Sequence, residues 1–138
     1  MKDRTKQIYE AATQLDCCPL FKGTEDTDKL IRLFLTKQGI EFCTDNNFPS
    51  LEVLRTFDDT EKYGIYIDRE ITLSNLSKVV LIGNTNAVLN YDDPDKKHEV
   101  ILMHGAKATI KASGYAVVFV TNAGGIVEKE TRDFAKIL

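Results

Sequence analysis

Three stretches in the second half of the chain share one arrangement, in which an apolar run is followed by a small-residue loop and a second apolar pair. They are VLIGNTNAVLN at 80–90, ILMHGAKATIK at 101–111 and VFVTNAGGIVE at 118–128, and AKIL at 135–138 is a truncated fourth copy. Equivalent positions in successive copies are 21, 17 and 17 residues apart. Self-similarity of this kind indicates a repeat protein, in which each unit buries its apolar side by stacking on the next.

The copies consist of short strands. From Tyr63 onward helical spacing is lost, and Ile65 and Ile67, then Ile71 and Leu73, alternate with other residues as in a β-strand. Short strands with Gly, Asn or Ala at each corner suit a β-solenoid, whose stacked coils bury a continuous apolar column. The alternative is a small antiparallel sandwich or meander, because closely spaced strands with tight turns also satisfy hairpin geometry.

We predict the solenoid, because the repeat is visible while the Asn-Gly turns that favour two-residue hairpins are absent. The prediction fixes a register, in which Val80, Ile101 and Val118 stack on one face. The loop Gly83-Asn84-Thr85-Asn86 then turns a corner between two strands. A phosphate loop would need a helix after it, and a strand-like run follows instead.

Helical spacing dominates the first part of the chain. A first helix is predicted over residues 5–16, and a third over the sequence LEVLRTF at 51–57. A second helix begins near Thr24 or Thr27, where acidic neighbours favour a helix start, and Gly39 weakens it locally. The apolar faces of the first two helices consist of Ile8, Ala11, Ala12 and Leu15, and of Leu30, Ile31, Leu33, Phe34 and Ile40.

These patterns predict an α+β fold. About three helices at residues 1–62 are packed on or cap a short β-solenoid at residues 63–138, in one continuous folding unit. The 138 residues, with 43% hydrophobic and 28% charged, are typical of a globular chain. A net charge of -3 without a basic cluster argues against nucleic-acid binding. No apolar run of roughly 18 residues and no signal peptide is visible, so we predict a cytoplasmic protein with no membrane contact.

Residues that carry chemistry in other proteins are scattered here. Cys17, Cys18 and Cys43 lack the CxxC spacing and are odd in number, so reduced thiols are expected and their role stays open. His98 and His104 flank the strand EVILM and would lie roughly 20 Å apart, too far to share a metal. The acidic turn Asp92-Asp93-Pro94-Asp95 lacks the spacing of a calcium loop. No catalytic residue, cofactor site or metal site is predicted.

A resemblance adds to this interpretation. EFCTDNNFPSLEVLRTF, followed by KYGIYID and the strand copies, resembles an uncharacterised family of small bacterial proteins associated with mobile elements and prophage-like regions. The resemblance covers roughly residues 28–138, and its most specific parts are Glu41 to Ser50 and Tyr63 to Asp68. It implies helices followed by a repetitive β region, and it implies no activity.

The open end of the predicted solenoid suggests a function. Terminal coils carry unpaired backbone edges, and the segment Ala135, Lys136, Ile137 and Leu138 is still strand-like. We expect this C-terminal β edge to pair with a protein partner or with a second copy. The predicted function is a non-enzymatic assembly or protein-binding module, with an accessory role in a mobile element as its setting.

The alternative function is a small-ligand or carbohydrate-binding domain. It would use the corner loops and the tyrosines of the strand region, which are Tyr63, Tyr66, Tyr91 and Tyr115.

Overall fold

The computed structural model of the chain describes residues 2–13, 26–57 and 59–138. The chain forms two compact units, Met1–Ser50 and Leu51–Leu138. Residues 51–62, which the sequence analysis grouped with the helices before them, thus lie in the same unit as the strands. None of the helices that the structure describes is both long and apolar enough to cross a membrane.

The first unit contains α1 (Lys2–Thr13), α2 (Thr27–Phe34) and α3 (Lys37–Asn46). Ile8 and Ala12 of α1 are buried as predicted, whereas Ala11 is exposed, so the apolar face of this helix is narrower than its sequence indicated. Leu15, Cys17 and Cys18 lie outside the described residues.

The second predicted helix is in fact two. Asp26 begins α2 by accepting a hydrogen bond from the Lys29 backbone N–H at 2.8 Å. The helix stops at Phe34 because Thr36 begins another: its hydroxyl accepts from the Gly39 N–H at 3.0 Å and donates to the Leu33 carbonyl at 2.7 Å. The hydrophobic periodicity did not reveal this break, because it depends on one capping residue, Thr36, within an apolar run.

Gly39 permits the close approach of the two helices. A Cβ atom at this position would lie 2.3 Å from the Leu33 carbonyl oxygen and 2.7 Å from the Phe34 carbonyl oxygen. The residue that the sequence marked as a local weakness is therefore the one that lets the chain fold back.

We expect Gly39→Ala to destabilise the first unit by about 1–3 kcal/mol, because the clash with backbone atoms outweighs the gain of about 1 kcal/mol in helix propensity. The free energy of unfolding is measured from the loss of the helical circular dichroism signal with increasing urea concentration. Glu41→Ala, at an exposed position of the same helix, is the control. Unchanged or increased stability of Gly39→Ala would contradict the expectation.

The second unit begins with two short helices, α4 (Leu51–Leu54) and a 3₁₀ helix (Thr60–Tyr63). The third helix predicted over 51–57 is thus a single turn. Nine strands follow: β1 (Ile65–Ile67), β2 (Glu70–Ser74), β3 (Lys78–Ile82), β4 (Asn86–Tyr91), β5 (His98–Met103), β6 (Lys107–Ala112), β7 (Val117–Ala123), β8 (Ile126–Thr131) and β9 (Lys136–Ile137).

The strands form two parallel sheets, and successive strands alternate between them. Sheet A has the order β1-β3-β5-β7-β9, and sheet B has the order β2-β4-β6-β8. Every strand pair is parallel. This arrangement confirms the predicted α+β fold with a C-terminal β-solenoid, and it excludes the antiparallel alternative.

The predicted register is half right. Val80 pairs with Ile101, as the first step of 21 residues required. Ile101 pairs with Thr121 and not with Val118, which pairs with His98. The sequence comparison had aligned apolar letters, but β7 becomes polar where its coil is exposed. The fourth copy is displaced too, because Ile137 and not Ala135 pairs with Val118.

Inward-facing side chains form columns through the stacked coils. Val79, Val100 and Val120 make one column, and Leu73, Leu89 and Ile110 make another. Full burial of each such side chain contributes about 1.5–3 kcal/mol. Both sheets supply columns, so the core lies between the two sheets.

The corner at Gly83 is held by polar contacts, as predicted for a turn. Gly83 has a φ of +70°, and the Asn84 N–H donates to Asp68 Oδ1 at 2.8 Å. Arg55, just after α4, donates to both Asp68 oxygens, at 2.8 and 3.1 Å. Asp68 thus joins α4 to the corners that follow β1 and β3.

The Arg55 guanidinium, and then the Asn84 N–H, hold the pKa of Asp68 below its usual value. A carboxyl group whose pKa is lower in the folded state stabilises the fold above the unfolded pKa, about 3.9, and loses that contribution as pH falls through the folded pKa. We therefore expect Asp68→Asn to lower the urea midpoint near neutral pH, with the difference from wild type shrinking below about pH 4.

Asp95→Asn, in the exposed acidic turn, is the matched control for this pH series. A difference between wild type and Asp68→Asn that stayed constant from neutral to acid pH would show that the ion pair is not its source.

Candidate interaction surface on the last coils

The predicted edge segment is the outermost strand of sheet A among the described residues. Lys136 N–H donates to the Ala116 carbonyl at 3.0 Å and Leu138 N–H to the Val118 carbonyl at 2.7 Å. Ala135 and Ile137 pack against the core, whereas Lys136 and Leu138 are exposed. The segment therefore has an inward and an outward side.

The outward side continues onto β7. Val117 pairs with Lys136, and the same register sets Phe119 beside Leu138. We name six outward positions the C-terminal strip: Tyr115, Val117 and Phe119 on one coil, and Phe134, Lys136 and Leu138 on the next.

Two aromatic rings mark the corner of this strip. The Tyr115 and Phe134 rings are stacked, with centroids 5.0 Å apart and planes 9° from parallel. Two hydrogen bonds hold the corners in line: Gly114 N–H donates to Asp133 Oδ2 at 3.0 Å, and Phe134 N–H donates to the Gly114 carbonyl at 2.9 Å. These two hydrogen bonds hold the two residues that carry the rings on adjacent corners.

Most of the large apolar side chains that are exposed among the described residues lie on the strip. In the described part of the chain, the large apolar side chains that remain exposed are Tyr115 (66%), Phe119 (42%), Ile126 (58%), Phe134 (69%) and Leu138 (59%). All five lie between residues 115 and 138, and four of them belong to the strip. The sequence analysis assigned 135–138 to an interaction edge and Tyr115 to the alternative ligand site, and it missed Phe134, which occupies the equivalent position to Tyr115 on the next coil.

On the last coils, the outermost strand of sheet B is β8, and its edge has a different character. Its inward column runs from Leu89 through Ile110 to Lys129, which is exposed. The column from Leu81 through Leu102 likewise ends in Asn122. An inward-pointing charge discourages the addition of another strand, because a neighbour stacked there would bury that charge.

A polar groove of about 400 Å³ lies at one end of sheet B. It is lined by one column of paired residues, Ser74, Asn90, Lys111 and Glu130, and by the residues that directly follow the four strands, Asn75, Asp92, Ser113 and Arg132. Tyr91 also belongs to the lining but is 2% exposed, and burial raises its pKa to about 12. A sugar would find no aromatic face to stack on among these residues.

The two histidines lie at opposite ends of β5, as predicted. His98 is fully buried beside the Tyr91 ring, with Nε2 3.0 Å from the Asp93 carbonyl and Nδ1 3.3 Å from that of Leu76. His104 follows the strand with a φ of +57°. The ring of His98 is therefore committed to holding two loops.

The acidic turn is held by hydrogen bonds to Asn75 and by one within the turn itself. Asn75 Oδ1 accepts from the N–H groups of Asp92 and Asp93, at 2.9 and 3.2 Å, and Asp93 Oδ1 accepts from the Asp95 N–H at 2.9 Å. Within residues 2–13, 26–57 and 59–138, no three His, Cys, Asp or Glu side chains are placed to share a metal ion.

Cys43 lies in α3 and is buried. Burial raises the pKa of its thiol to about 12, so the thiol is protonated near neutral pH.

Comparisons of the chain with protein family models, curated proteins and solved structures found no match.

We expect Cys43 to resist iodoacetamide at about pH 8 in the folded protein and to react once urea unfolds it, because only the thiolate attacks and burial opposes its formation. Mass spectrometry of a Cys17→Ser/Cys18→Ser variant isolates this thiol. Equal labelling rates with and without urea would contradict the expectation.

Proposed function

We propose that this chain is a non-enzymatic protein-binding module whose partner docks on the C-terminal strip. The observation that carries the proposal is the concentration of exposed large apolar side chains on the last coils. Contiguous exposed apolar surface marks interaction sites in soluble proteins. Each Phe or Leu that a partner covers adds about 1.5–3 kcal/mol of favourable burial.

Histidine and cysteine are common catalytic residues in other proteins. The environments of His98 and Cys43 in this chain support the non-enzymatic proposal. The ring nitrogens of His98 both face backbone carbonyls, and its side chain is fully buried. Cys43 holds its proton near neutral pH. Neither residue offers the free base or thiolate that nucleophilic catalysis needs.

The partner is proposed to be a different protein rather than a second copy stacked on the whole end of the solenoid. Such stacking would bury Lys129 and Asn122, which end two core columns. The strip avoids both side chains. The link to mobile elements rests on the sequence resemblance alone and stays a prediction.

The combined variant Phe134→Ser/Leu138→Ser tests the proposal. We expect tagged wild-type protein, isolated from its native cell, to retain a partner that the variant loses by at least about tenfold, because two apolar anchors are removed. Quantitative mass spectrometry of the co-isolated proteins provides the measurement.

Val88→Ser is the matched control, since it changes a half-buried apolar residue of sheet B, away from the strip. Recovery of the same proteins by all three forms would refute docking on the strip. Light scattering of the purified chain at high concentration separates the remaining case, because a dimer that the double variant abolishes would identify a second copy as the partner.

A further inference from the structure

We infer that the partner contributes an extended segment that adds to β9, with an acidic side chain opposite Lys136 and apolar side chains two residues to either side of it. This inference rests on the proposed function and names the chemistry of the partner. It follows from the direction of the free backbone groups, the pattern of the strip and its unmatched charge.

Among the described residues, one residue of β9 has no neighbouring strand for its backbone groups. Lys136 and Leu138 direct their N–H groups to β7, and the Leu138 carbonyl accepts from the Val120 N–H at 3.2 Å. In a parallel ladder, the N–H and C=O of a residue point to the same neighbouring strand, and the next residue points the other way. Ile137 therefore presents its N–H and C=O to the open edge, where an added strand can bond to them.

The side chains of an added strand would continue the columns of the solenoid. Neighbouring strands lie about 4.8 Å apart, and side chains on one face recur about every 6.8 Å along a strand. Three successive outward side chains of the segment would therefore contact Phe134, Lys136 and Leu138. The outer two meet apolar partners, and the middle one meets an ammonium group.

The charge at the centre of the strip selects an acidic partner. Among the described residues, no carboxylate forms an ion pair with Lys136. Lys97, whose Nζ lies 5.4 Å from the centre of the Phe119 ring, is already paired with Glu99 at 3.1 Å. An opposing Glu or Asp would gain a charge pair, and an opposing Lys would be repelled.

The same charge argues against a second copy at this edge. A copy that paired its own Ile137 antiparallel with Ile137 would set Lys136 of each chain opposite Leu138 of the other. Both ammonium groups would then lack an acidic partner, which an acidic segment of another protein supplies. A segment with the pattern apolar, any, acidic, any, apolar fits in either strand direction, because the pattern is symmetric.

Short synthetic peptides test this inference against the full chain. The acidic peptide has tyrosine, glutamate and leucine at alternate positions, separated by valine. The basic peptide replaces the glutamate by lysine, and the polar peptide replaces the tyrosine and leucine by serine. Titration into isotope-labelled protein, followed by the amide NMR spectrum, gives both the affinity and the location of binding.

We expect the acidic peptide to shift the Ile137 amide signal and to bind about fivefold more tightly than the basic peptide, and the polar peptide to bind more weakly than both. Lys136→Glu should reverse the preference between acidic and basic peptides. Lys107→Glu, the same charge change at an exposed position of sheet B, should leave it unchanged.

Equal affinity for acidic and basic peptides would overturn the inference. So would an equal effect of Lys107→Glu and Lys136→Glu, or no shift of the Ile137 amide with any peptide. The proposed function is judged separately by the co-isolation of a partner with wild type and with Phe134→Ser/Leu138→Ser. A partner that depends on the strip, together with peptides that do not bind, would retain the proposed function and discard strand addition.

Discussion

Parallel stacking of one coil on the next is the constraint on which the second unit depends. A strand in this arrangement satisfies its backbone groups only through its neighbours, and its inward side chains are covered by the opposite sheet and by the coils above and below. Val100 and Leu102 are fully buried because β3 and β7 flank β5 on both sides. The same dependence makes the ends of the solenoid the places where edges and apolar side chains lose their cover.

The last coils differ in how their two sheets treat the uncovered edge. On sheet B the inward column ends in Lys129, whose charge makes a further layer unfavourable. On sheet A the inward positions Ala135 and Ile137 remain apolar, and the outward face carries aromatic rings at its corner. The edge at β8 thus carries an unfavourable charge, whereas the edge at β9 keeps an apolar surface. Because of this difference, we assign the proposed partner to sheet A.

The sequence predicted the parts of the structure that repeat. Residues 80–90 and 101–111 align correctly because Leu81 and Leu102, like Leu89 and Ile110, keep the same inward character in both coils. The alignment of residues 118–128 with 101–111 is wrong because Asn122 and Lys129 replace apolar residues at inward positions. In this coil an apolar residue type no longer indicates an inward side chain. The break between α2 and α3 was missed for a related reason, since it depends on the single cap at Thr36.

The strip was only partly visible in the sequence because exposure depends on where the stacking stops. Phe119 follows Lys78 and Glu99 in an outward column, so an aromatic residue stands where earlier coils carry charge. This change of character in one column can be recognised only after the register is known. Without that register, the apolar alignment placed Phe119 at the position of Leu102, which is fully buried. The register therefore separates a side chain that holds the coils together from one that remains available to another protein.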